Sequence, residues 1–134
     1  MLFIEILANA AILYLFSILS IFFHELGHLS GYKITEKSND WVIQLGTGKE
    51  LSRVKRLRFH AIPIGGAFLF DSDLNTKKGQ ILMYAGGPMF TSIFLILLFT
   101  LQRHPLGYVS NDVFIWIRNF NLWALFFTLI PMNY

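Results

Sequence analysis

A chain of 134 residues is the size of one domain, yet 54% of it is apolar, 16% aromatic and only 14% charged, a balance that belongs to membrane proteins. With no cysteine, a disulfide framework and a thiolate zinc site are both excluded. The formal net charge of +3 does not point to nucleic acid: Lys33, Lys37, Lys49, Arg53, Lys55, Arg56, Arg58, Lys77 and Lys78 all fall between Gly31 and Gln80, and only Arg103 and Arg118 lie elsewhere.

The first apolar run extends from about Leu2 to Ser30 and meets the requirement of about 20 residues for a hydrocarbon core. It lacks a basic start and is far longer than the apolar region of a signal peptide, so it reads as a retained helix. Near its end stands His24-Glu25-Leu26-Gly27-His28. On a helix of 3.6 residues per turn the two histidines lie on one face, so both imidazoles can converge on a single ion. Zinc suits two neutral imidazoles, and Glu25 is placed to act as general base on a water held by that ion. A solvated helix end that happens to carry these residues is the bland alternative. Ionisable groups beside a hydrocarbon-length run are costly, which favours a functional site.

Between the first and second apolar runs the period changes. Trp41 to Leu45 and Leu57 to Phe70 are rich in Val, Ile and Phe, but Gly and Pro interrupt them, so they read as short strands joined by a basic turn. Pro63 and the Gly65-Gly66 pair suit an edge strand or a closely approached loop. Such an edge can hold a substrate chain extended through backbone hydrogen bonds, and an ordinary hairpin capping the helices is the competing reading. The basic loop 31–80 is expected on the cytoplasmic side, which puts the histidines roughly 5 to 12 Å below the cytoplasmic end of the first helix.

The second run, about Ile81 to Gln102, opens with Ala85-Gly86-Gly87-Pro88-Met89-Phe90-Thr91-Ser92. Its glycines allow close helix or substrate approach, Pro88 disturbs the backbone ladder, and Thr91 offers a hydroxyl to a substrate carbonyl. The third run, about Val113 to Pro131, carries Asn121 and Thr128 on one side. The expected fold is an all-α polytopic membrane protein. Its single membrane-embedded unit would span residues 1–134, with three transmembrane helices (about 2–30, 81–102 and 113–131) and a small β element between helices 1 and 2.

The order of motifs then becomes informative. His24-Glu25-Leu26-Gly27-His28, Ile62-Pro63-Ile64-Gly65-Gly66-Ala67-Phe68, Ala85-Gly86-Gly87-Pro88, and Asn121-Leu122 followed by Leu129-Ile130-Pro131 together resemble the site-2 protease family of intramembrane zinc metalloproteases. The resemblance runs from Ile21 onward. It implies hydrolysis of a peptide bond in or near a transmembrane segment of a membrane-bound protein or peptide. His24 and His28 would be zinc ligands and Glu25 the general base. Pro63, Gly65, Gly66 and Phe68, with Gly87 and Pro88, would line the substrate path. The implied setting is a bacterial plasma membrane, with the lipid bilayer as surroundings and the active site toward the cytoplasm.

Two departures stand out. Where the family usually has G-P-x-x-N, this chain has Gly87-Pro88-Met89-Phe90-Thr91, a hydroxyl in place of an amide. The family also draws its third zinc ligand from an Asp after the third core helix, and the sequence stops at Tyr134 before any such residue; the expectation is a partial chain whose missing tail supplies it. His60, Asp71 and Asp73 stay open as alternatives on the correct side of the membrane. A catalytically incompetent membrane subunit or regulator of the same fold is the second reading, and a small metal-transport module the third.

Overall fold

The computed structural model describes residues 2–71, 76–103 and 111–129. Helix α1 covers Leu2–Thr35, strands β1 and β2 cover Trp41–Val54 and Leu57–Phe70, and helices α2 and α3 cover Lys77–Arg103 and Asn111–Leu129. Among them, α1 over Phe3–Thr35 and α2 over Lys77–Gln102 are long and apolar enough to cross a membrane.

The helices pack antiparallel through glycine. A Cβ on Gly27 would fall 2.2 Å from the Gly86 carbonyl oxygen, one on Gly86 would fall 2.1 Å from that of Gly27, and one on Gly31 would fall 2.1 Å from that of Leu82. No other side chain permits backbones to come so close. Gly27-x-x-x-Gly31 is thus the seam of α1 against α2, and the contact aligns the end of α1 with the start of α2.

Two apolar cores share α1. In one, Phe94 and Leu98 of α2 meet Val113 and Ile117 of α3, with Ile12, Leu13, Phe16 and Phe23 of α1 packed against them. In the other, Ile43 and Leu45 of β1 close over Ile21 of α1, flanked by Phe22, Phe59 and Phe68. Beyond α1 the chain turns through a polar knot: Lys33 Nζ donates to the Ser38 carbonyl and to Asn39 Oδ1, and the hydroxyls of Tyr32 and Ser38 both donate to Asp40 Oδ1. Tyr32 is fully buried, with Phe68 and Phe70 at ring-centroid distances of 5.5 and 5.4 Å.

The two strands form an antiparallel pair whose register explains their length. Trp41 to Leu45 face Phe70 back to Gly66, Ser52 to Val54 face Phe59 back to Leu57, and Ile43, Gln44 and Leu45 also face Leu57, Arg58 and Phe59 on their other edge. Each strand is therefore bent in its middle and folded beside itself, with the irregular pairing between Leu45 and Ser52 marking the bend. Gly46 has φ 83° there, a left-handed conformation that a residue with a Cβ adopts at a cost. The turn at Lys55 and Arg56 and the start of β1 consequently lie at one end of the sheet, and Gly46 and Ile62 to Gly65 at the other.

Two sequence expectations need correction. The fold is not an all-α bundle with a small β insertion, because the two strands occupy 14 residues each. Pro63 and Gly65-Gly66, read as interruptions, lie inside β2 near its bend, where the ladder tolerates a missing donor. Nor are there three spans among the described residues. Asn111, Asp112, Arg118, Asn119 and Asn121 make α3 too polar over Asn111–Leu129. Ile130 and Pro131, expected to end that helix, lie outside the described residues.

Candidate metal centre

The helical period that sets His24 and His28 on one face brings their rings together. Their Nε2 atoms stand 3.1 Å apart, with ring centroids 4.8 Å apart and nearly perpendicular planes. Each ring is held from behind. His28 Nδ1 lies 2.7 Å from the Met83 carbonyl oxygen; a carbonyl only accepts, so Nδ1 carries the proton and Nε2 of neutral His28 presents a lone pair. His24 Nδ1 lies 2.8 Å from Thr91 Oγ1, and the same arrangement results when Thr91 accepts. Partners of this kind fix tautomer and ring orientation in metal-binding histidines.

Two nitrogens on a tetrahedral zinc, each about 2.1 Å from it, stand about 3.4 Å apart, close to what the rings already show. Space is provided by Gly87. A Cβ there would fall 2.3 Å from His28 Nε2 and 2.7 Å from His24 Nε2, in the volume both imidazoles address. Unprotonated nitrogens facing each other at this distance repel unless a proton or cation lies between them. The residues present therefore fit a zinc ion through His24 and His28. Among the described residues no third His, Asp, Glu or Cys joins them; His60 Nδ1 is bonded to the Gly48 carbonyl oxygen at 2.8 Å, the backbone N–H of Asp71 donates to the carbonyl oxygen of Asp40, and Asp73 lies outside the described residues.

Glu25 is buried beneath the sheet. A Cβ on Gly66 would fall 2.9 Å from Glu25 Oε1 and 2.5 Å from Ile21 Cγ2, so the bare backbone of β2 passes directly over the carboxylate. Gly65 and Gly66 are exposed and Pro63 half-buried. Segment Gly66 to Phe70 pairs with β1 on one edge and has no strand on the other among the described residues. Phe68 instead packs its ring on Tyr32 and Phe70, which makes it part of the sheet's anchor to α1. Pro88 lies inside α2 one residue beyond Gly87, half-buried.

Thr91, expected to meet a substrate carbonyl, is buried with its hydroxyl on His24. In this structure the hydroxyl meets the His24 ring from behind. Sequence reasoning did not identify the Met83 carbonyl, since a backbone acceptor leaves no trace in residue type. One further contact braces the site. Asn121 of α3 donates through Nδ2 to Ser20 Oγ and to the Ile117 carbonyl, both at 2.9 Å, and Ser20 donates to Phe16; Asn121 and Ser20 are both buried. Ser20 is one turn before His24, so α3 is tied to α1 immediately beside the turn that carries the histidine pair. No family model, no curated protein and no solved structure matches this chain.

Proposed function

We propose that this chain is the core of an intramembrane metalloprotease of the site-2 protease type, a zinc endopeptidase that cuts a peptide bond in or beside a transmembrane segment of a membrane-bound protein or peptide. The observation that carries the reading is the pair of Nε2 atoms 3.1 Å apart, each ring anchored from behind, in front of a glycine that leaves room for an ion. Zinc bound there would polarise a scissile carbonyl and lower the pKa of a water to near neutrality. The third protein ligand comes from outside the described residues.

The chain's own groups supply the rest. Glu25 takes a proton from the attacking water on its carboxylate and passes it to the leaving amine. A helical substrate keeps its peptide bonds engaged, so it must be unwound before attack. The unpaired edge of β2 at Gly66 to Phe70 supports that step, because an added strand hydrogen-bonds there and runs past Glu25. The clustering of Lys and Arg in 31–80 supports a cytoplasmic orientation of that edge and of the metal, in a bacterial plasma membrane.

A second reading, a non-catalytic membrane regulator, is favoured by the lack of a third ligating group among the described residues. Reconstituting the wild type and Glu25→Gln into liposomes with single-span reporter proteins separates the two. The protease reading expects equal zinc by elemental analysis in both, cleavage by the wild type, and a loss of about 10²–10⁴-fold in the variant. Zinc-loaded wild type that cuts no reporter, or cutting that survives in Glu25→Gln, would sink it.

A further inference from the structure

The folded-back register gathers cations at one end of the sheet. Arg53 stands directly opposite Arg58, and Lys55 and Arg56 make the turn beside them. Like charges facing across a ladder repel, yet among the described residues no carboxylate pairs with any of the four. Arg58 Nε has no hydrogen-bond acceptor and neither has Trp41 Nε1, while the Arg56 guanidinium lies 5.0 Å from the Trp41 ring centroid. Arg53 and Lys55 are exposed, as are the neighbouring Leu51 and Val54. The surface offers donors and apolar patches without an anion to match.

Its level is set by three contacts. The Ile43 N–H donates to the Arg56 carbonyl, so the turn lies at the Trp41 end of β1. Trp41 pairs with Phe70, close to the start of α2. Gly79 lies against Thr35, so α2 begins, with Lys77 and Lys78, where α1 ends. At the other end of the sheet Ile62 and Ile64 are exposed and apolar. The cations thus sit where the two candidate spans leave the bilayer.

We infer that Arg53, Arg58, Lys55 and Arg56 form a docking surface for the headgroups of anionic phospholipids in the same bilayer that α1 and α2 cross. Guanidinium pairs bind a phosphodiester in a forked geometry, each surface cation adds attraction to an anionic leaflet, and Leu51 and Val54 meet the boundary of the acyl chains. The inference rests on the membrane placement of α1 and α2 and not on the metal centre.

The test is mass spectrometry of lipids retained by the chain extracted from nanodiscs of equal phosphatidylcholine and phosphatidylglycerol. The wild type is expected to keep phosphatidylglycerol in preference by on the order of tenfold. Arg53→Gln/Arg58→Gln should approach parity and Arg53→Lys/Arg58→Lys should keep most of the preference. Helical circular dichroism checks folding; should the double Gln variant not fold, Lys55→Gln/Arg56→Gln takes its place with the same expected loss. Parity in the wild type, as expected if the cations serve an acidic soluble protein instead, or an unchanged preference in folded Gln variants overturns the inference.

Discussion

Gly87 lies so close to His28 that a methyl group on it would stand 2.3 Å from the ring's Nε2. The glycine is what keeps the space between the imidazoles open. Gly87→Ala should therefore leave the helices formed but displace both rings, lowering bound zinc by tenfold or more. Elemental analysis of the purified chain, alongside circular dichroism, measures this. Full zinc occupancy in Gly87→Ala would mean that the ion sits elsewhere.

Thr91 acts through His24. Removing its hydroxyl in Thr91→Val should weaken zinc binding by about 10–100-fold, the usual effect of losing a partner behind a ligating histidine, whereas Thr91→Ser should restore it. A competition titration with a zinc-binding dye reads both. If Val and Ser bind equally well, the 2.8 Å contact has no part in the site.

The seam of α1 on α2 predicts a stability effect. Gly27→Ala would drive a methyl into the Gly86 carbonyl, and relief of such overpacking costs about 1–3 kcal/mol. The thermal midpoint in detergent should fall, and zinc affinity with it. A midpoint that does not change would show the helices free to part.

Asn121 and Ser20 offer a pairwise test of how α3 is held. Ser20→Ala and Asn121→Ala with the double variant should give a coupling energy of about 0.6 kcal/mol, up to about 1.7 kcal/mol, the range for hydrogen bonds between membrane helices. Reversible unfolding in mixed micelles supplies the cycle. Strict additivity would deny the contact.

The polar knot after α1 has a pH signature. The Ser38 hydroxyl first, and then that of Tyr32, hold the Asp40 carboxyl below the usual carboxylate range. A group depressed in the folded state lends stability above its unfolded value and withdraws it as pH falls. Stability should thus decline below about pH 4, and Tyr32→Phe should make that decline shallower. Identical acid profiles by circular dichroism would remove Tyr32 from the linkage.

How much of this was legible beforehand depends on the kind of signal. The meeting of His24 and His28 follows from helical period alone, and the glycines at 27 and 86 announce a close approach. The spacing that pairs Asn121 with Thr128 holds for only one of them: Asn121 is buried, while Thr128 is exposed and bonded to its own helix at the Leu125 carbonyl. By contrast, Pro63 and Gly65-Gly66 read as breaks because a bent strand and a broken one share the same residues; only the register separates them. The role of Thr91 depends on the rotation of α2 about its axis. The Met83 carbonyl belongs to the backbone, which every residue shares.

The glycine seam has a consequence for traffic. Where two backbones touch with nothing between them, no side chain is present to swing aside, so α1 and α2 form a shut wall behind the histidines. For a peptide substrate of the proposed kind, entry would then come from the opposite flank, where the sheet and α3 pack on α1 through side chains and Gly66 crosses Glu25.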